Sequence, residues 1–140
     1  MSDKCIFCRI AHGTAEASIV YEDSTVIAFL DIQQFHPGHT LVVPKAHVPD
    51  IFDLDDETGA ALMSTLRRVS RAVDSAFSPD GINIWQSSRA AAGQDVFHLH
   101  FHVLPRHTGD YWHYSPVRRS PSKAELTEQA AAIRGAMAST

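Results

Sequence analysis

Polar and apolar positions alternate most sharply over residues 95–106, Asp-Val-Phe-His-Leu-His-Phe-His-Val-Leu-Pro-Arg. His98, His100 and His102 take every second place, with Phe97, Leu99, Phe101 and Val103 around and between them. A period of two, rich in β-branched and aromatic residues and closed by Pro105, predicts a strand over 96–104. Side chains on a strand alternate faces, so the three imidazoles share one face and the apolar set forms the other, to be buried. Histidine Cα atoms two steps apart would lie about 6.6 Å from each other.

Shorter apolar runs flank this one. Ile19–Glu22 and Val26–Asp31, separated by Asp23-Ser24, predict a hairpin. Phe35-His36-Pro37-Gly38 is a turn signal, because proline fixes φ and glycine accepts a positive φ. His39–Val43 reads as a strand ended by Pro44, and Ile82–Gln86 as another. From Asp53 the period lengthens: Leu62, Leu66, Val69, Val73 and Phe77 make one helical stripe, stopped by Ser78-Pro79. Asp55, Asp56 and Glu57 suit the positive end of that helix. Ser122-x-x-Glu125 is a capping box opening a last helix, with Leu126, Ala130, Ile133 and Met137 on one face. The elements predict an α+β fold: an antiparallel sheet of about five strands, a long helix packed on one face, and a C-terminal helix. Between the last strand and that helix the chain turns polar and aromatic, through Tyr111, Trp112, His113 and Tyr114.

The chain of 140 residues carries a formal charge of −4, which gives no reason to expect binding to nucleic acid or to a membrane surface. No apolar run approaches the ~20 residues of a membrane helix, and the N-terminus lacks a signal-peptide core. The expectation is a soluble cytoplasmic protein whose two cysteines are thiols or ligands rather than a disulfide. Cys5-Ile-Phe-Cys8 follows no strand, unlike a thioredoxin-type motif. Two thiolates need two further ligands for tetrahedral zinc, and histidine is the usual partner. His47, just past the strand ended by Pro44, is a candidate ligand.

The histidine strand leaves two chemistries open. Neighbouring imidazoles can share a catalytic metal, or one can attack a substrate while the others hold it and handle protons. The small-residue loop Ser87–Gln94 leads straight into the strand, and its backbone N–H groups could approach an anion.

His98-Leu-His100-Phe-His102-Val-Leu, preceded by Ala92-Gly93-Gln94, resembles the signature of the histidine-triad (HIT) family of nucleotide hydrolases and transferases. Ala28-Phe-Leu-Asp31-Ile32, Pro37-Gly38-His39 and Pro44-Lys45-Ala46-His47 match further family motifs in order. The resemblance covers about residues 5–106 and is closest to a bacterial-type branch with an N-terminal C-x-x-C. It implies a HIT-like fold, with residues 1–108 as the histidine-triad domain and 109–140 as an extension carrying the last helix within the same single domain.

The resemblance also implies roles. His100 would attack the α-phosphorus of a purine nucleoside phosphoramidate, dinucleoside polyphosphate or related adenylate, giving a covalent nucleotidyl-histidine that water hydrolyses. His102 and His39 match the phosphate-site histidines, and Asp31 the residue that bonds the ribose hydroxyls. Ile6, Phe7, Ile10, Phe29 and Ile32 match the purine-pocket wall, and Ser87, Gly93 and Gln94 lie in the loop that would supply donors to the phosphate. Cys5, Cys8, His47 and His98 match a structural zinc site, one per chain, and the family implies a homodimer. Three other readings stand beside this one: a nucleotide-binding regulatory protein with negligible turnover, a nucleotidyltransferase, and a zinc hydrolase ligated by His98, His100 and His102. Two departures bear on substrate preference. Ser87-Ser88-Arg89 stands where close relatives commonly carry Asn-Asn-Gly, and Asp95 stands where the animal branch has serine or threonine.

Overall fold

The computed structural model describes residues 4–110 and 118–138; the aromatic stretch Tyr111 to Tyr114 lies outside the described residues. Five strands, β1 (Ile19–Glu22), β2 (Val26–Leu30), β3 (Thr40–Pro44), β4 (Gly81–Gln86) and β5 (Phe101–Arg106), form one sheet in the order β1-β2-β3-β5-β4. Every neighbouring pair is antiparallel. Three α-helices accompany it: α1 (Ile6–Ala11), α2 (Asp56–Phe77) and α3 (Lys123–Met137). Among the described residues, no helix is long and apolar enough to cross a membrane.

The middle of the sheet is covered on both faces. All five residues of β2 and of β3 are buried, as their continuous apolar runs require. Val26, Ala28, Leu30, Val42, Leu99 and Val103 face one side, where Leu62, Leu66, Val69 and Val73 of α2 meet them. Leu126, Ala130, Ile133 and Met137 of α3 complete the same core, so the C-terminal helix extends the α2 layer. Fully burying each such aliphatic side chain stabilises the fold by about 1.5–3 kcal/mol. Ile27, Phe29, Leu41 and Val43 face the other side, under Phe7 and Ile10 of α1. That second, smaller layer is where the histidines lie.

Local chemistry fixes the ends of the elements. Asp23 Oδ1 accepts from the N–H groups of Thr25 and Val26, closing the β1–β2 hairpin. Asp55 caps α2 by accepting from Thr58 N, and the predicted capping box of Ser122 and Glu125 is formed at α3. In the turn before β3, His39 N–H donates to His36 O at 3.2 Å across Pro37-Gly38. Gly38 has φ +94°, and a Cβ there would lie 2.8 Å from the Phe77 ring. Only glycine fits, and the turn delivers His39 to the start of β3.

Two elements differ from the sequence expectation. Helix α1 has six residues, too few to show a period, and is started by Cys5 Sγ accepting from Cys8 N. The histidine strand begins at Phe101 rather than at residue 96. Only Thr40–Val42 of β3 pair with β5, and upstream Leu99 N–H is taken by Val48 O at 2.7 Å. With Pro44 unable to donate at the end of β3, the ladder stops short of His98 and His100. Leu99, Phe101 and Val103 keep the apolar phase, but Phe97 is 56 % exposed and belongs to no core.

Candidate active site and metal centre

His98 joins two sites through its two ring nitrogens. Its Nε2 donates to Pro44 O at 2.7 Å, which leaves the Nδ1 lone pair facing Cys5 Sγ at 3.4 Å and Cys8 Sγ at 3.5 Å. His47 Nδ1 lies 3.2 Å from Cys8 Sγ, and the four ligand atoms all lie within 4.8 Å of one another. Ligands on tetrahedral zinc, at their usual bond lengths, put sulfur and nitrogen about 3.5 Å apart. The two-thiolate, two-imidazole set therefore fits a closed zinc site, with Pro44 O as the outer partner that fixes the His98 tautomer.

His100, two residues on, is oriented differently. Its Nδ1 donates to the carbonyl oxygen of His98 at 2.8 Å, which assigns the lone pair to Nε2. The ring is 6 % exposed and lines a cavity of ≈ 300 Å³. Phe7 meets it edge-on with centroids 5.1 Å apart and meets Phe29 at 5.4 Å. Ile6, Ile10, Phe29, Asp31 and Ile32 line the same cavity, giving apolar walls with a carboxylate at the rim. The three triad imidazoles do not converge on one point, which removes the geometry needed by a zinc hydrolase ligated by His98, His100 and His102.

His39 and His102 form a second pair. His39 is fully buried; Phe35 N–H donates to its Nδ1 at 3.4 Å. Its Nε2–H then points to His102 Nδ1 at 2.8 Å, with Asp31 Oδ2 at 3.4 Å. This arrangement leaves His102 with its N–H on Nε2. Burial pushes the His39 pKa down to about 2 and that of His102 down to about 4, the neighbouring imidazole adding to both. Both rings are neutral donors near neutral pH. Burial raises the Asp31 pKa, opposed by Gln33 N–H, which donates to Oδ1 at 2.9 Å.

Most, but not all, of the residues singled out from the sequence meet here. His39 lines neither cavity of the site and reaches it through His102 and Asp31. Ser87 and Gly93 line an adjoining cavity of ≈ 70 Å³ with His102. Gln94 does not enter either. Its Oε1 accepts from Arg89 N, and its Nε2 donates to Pro49 O and Val96 O, so its amide ties the loop down instead of facing a substrate. Two charged residues complete the site. Asp95, marked in the sequence as a departure from the animal branch, has its Oδ1 3.4 Å from His100 Nε2. Arg118 lines both cavities; it lies in a polar tail with no motif to mark it.

An antiparallel sheet backed by two helices, with an imidazole row and a Cys2His2 cluster on its other face, defines a class before any comparison. The HIT domain family model matches residues 12–109, and the chain belongs to the HIT family. It is 41 % identical over 106 residues to Protein hit of Bacillus subtilis, covering 76 % of this chain and 73 % of that one. It is 33 % identical over 125 residues to an adenosine 5′-monophosphoramidase of Schizosaccharomyces pombe, covering 86 % and 91 %. Among solved structures, a zinc-bound histidine triad family protein from Mycobacterium smegmatis superposes with a TM-score of 0.85 at 39 % identity, over 97 % of this chain and 94 % of that one.

Proposed function

We propose that the protein is a hydrolase that cleaves purine nucleotides at the α-phosphate, at P–N or phosphoanhydride bonds, through a nucleotidyl-His100 intermediate. One observation carries the reading: His100 Nδ1–H is held by His98 O at 2.8 Å, which leaves Nε2 as a lone pair on the wall of an apolar cavity. An uncharged imidazole with its far nitrogen protonated and fixed is the form that attacks phosphorus. Similarity to a phosphoramidase supports the same bond class.

The proposed steps balance within the site. His100 Nε2 forms a bond to phosphorus as the bond to the leaving group breaks. His102 Nε2–H donates to a phosphate oxygen, held in that tautomer by His39. A proton from solvent passes through Asp95, beside His100 Nε2, to the leaving atom. Water then attacks phosphorus, the P–N bond to His100 breaks, and Asp95 passes the water proton back to solvent. Phe7, Ile10, Phe29 and Ile32 sandwich the base, and both oxygens of Asp31 receive the ribose hydroxyls. Zinc, held by Cys5, Cys8, His47 and His98, is structural. The exposed edge of the sheet at β4, with Ile84 48 % and Trp85 39 % exposed, supports a homodimer built through that edge, and the proposed location is the cytoplasm.

The test is turnover of a panel of adenosine and guanosine phosphoramidates and dinucleotides, with wild type and His100→Ala, plus mass analysis for a nucleotidyl adduct on quenched wild type. Turnover by wild type and none by the variant is expected. Binding without turnover or adduct would instead favour a regulatory nucleotide-binding protein, and transfer of the nucleotide to added phosphate would favour a transferase.

A further inference from the structure

The proposed reaction brings an anionic phosphate into a site that carries more negative than positive charge. The larger cavity is bordered by three carboxylates, Glu16, which pairs with Lys123 outside the cavity, Asp31 and Asp95. Its histidines do not offset them. His102 and the His39 behind it are held neutral by burial. Neutral imidazoles supply hydrogen bonds but no net charge, so a phosphate entering here needs a cation from elsewhere.

One residue answers that need. Among the lining residues, Arg118 is the only lysine or arginine in the larger cavity, and likewise the only one in the smaller cavity beside it. It stands at the divide between the two, with His102 and Asp95, which also line both. Its positive charge reaches Asp31, His39 and His102. The guanidinium lies over the Phe35 ring, with Cζ 4.8 Å from the centroid, and Phe35 in turn stacks on His39. Just after it, Arg119 exchanges two backbone hydrogen bonds with Gln34, at 2.8 and 2.7 Å. That bridge returns the chain to the site after the family match has ended at residue 109. The side chain is exposed and, among the described residues, forms no ion pair, so its N–H groups are available to a ligand. An aromatic face supports the cation without consuming its donors.

We infer that Arg118 is the phosphate-binding cation of this site, a guanidinium that holds the anionic oxygens of the nucleotide's α-phosphate over His100. The inference rests on the proposed nucleotide hydrolase reading and deepens it. A planar guanidinium offers paired donors to phosphate.

The experiment is a comparison of AMP with adenosine, which lacks the phosphate but fills the same base and ribose pocket. Calorimetric affinities of both are measured for wild type and for Arg118→Gln. Arg118→Gln is expected to weaken AMP by about ten- to a hundredfold, the range for a charge-assisted hydrogen bond, with adenosine unchanged. Equal weakening of both, or no weakening of AMP, overturns the inference. A second measurement needs no variant: added salt should weaken AMP binding by wild type but not adenosine binding, because an exposed guanidinium is screened. A flat salt dependence for AMP overturns it as well. Wild type that binds neither compound refutes the nucleotide reading itself, and the role of Arg118 falls with it.

Discussion

His100 Nδ1 and the carbonyl oxygen of His98 are 2.8 Å apart, while the His98 side chain faces two cysteine sulfurs. One residue thus contributes its ring to the cluster with Cys5, Cys8 and His47 and its peptide to the orientation of the next imidazole. The consequence for catalysis is direct. His100→Ala should lower kcat by several orders of magnitude and leave AMP affinity within a fewfold of wild type, because an attacking group contributes little to ground-state binding. Single-turnover kinetics and calorimetry measure both; a variant retaining about a tenth of wild-type activity removes His100 from the attacking role.

Asp31 sits at the cavity rim, 12 % exposed at its side chain. Asp31→Ala should raise KM for ribonucleotide substrates far more than for the matching deoxynucleotides, since only the former present two hydroxyls. Equal losses for both sugars would mean that Asp31 serves His39 and His102 alone.

Asp95 is expected to matter in proportion to the basicity of the leaving group. Asp95→Asn cannot carry a proton, and loss of a general acid typically costs about 10²–10⁴ in rate. The loss should be largest for phosphoramidates of basic amines and small for substrates whose leaving group departs as a stable anion. A uniform effect across the series, read as kcat/KM, contradicts the proton-carrier role.

The Cys5, Cys8, His47 and His98 cluster ties α1, and with it Phe7 and Ile10, to the sheet. Cys5→Ser or Cys8→Ser should lose metal and lower Tm while keeping residual turnover, because loss of a zinc ligand couples to folding rather than to chemistry. Metal analysis of protein purified without added zinc or chelator should give about one zinc per chain. Turnover strictly proportional to zinc content would transfer the metal to the chemistry.

Burial of His39 and His102 sets a pH dependence of stability. Their folded pKa values, pushed down to about 2 and about 4, lie below the ordinary value near 6.5. The unfolded chain therefore takes up protons that the folded chain refuses. The stability of the neutral pair is complete above pH ~6.5 and is lost as pH falls toward about 4, at up to about 1.4 kcal/mol per pH unit for each group. Urea unfolding at about pH 7 and about pH 5 reads this loss, and His39→Gln should shrink the difference between the two.

Sequence alone was enough for the elements that have a period and for the chemistry that has a spacing. The α2 stripe from Leu62 to Phe77, the β2 and β3 runs, the Ser122–Glu125 box and the alternation around His98, His100 and His102 are local patterns, and local sterics enforce them. Cys5, Cys8 and His47 were legible as candidate ligands from their residue types, but the full set with His98 came only through resemblance to a family, since the four ligands are spread over three parts of the chain. Tertiary structure decided the rest. Helix α1 is too short to carry a pattern. The start of β5 at Phe101 depends on which β3 residues remain to pair. Gln94 is turned inward by backbone groups of Arg89, Pro49 and Val96, and His39 is placed behind His102 by packing across the sheet. Arg118 reaches the site because its neighbour Arg119 forms a backbone bridge to Gln34. A long-range pairing of that kind leaves no periodic trace in the residues that form it, because its partners are chosen by where the folded sheet brings the chain back.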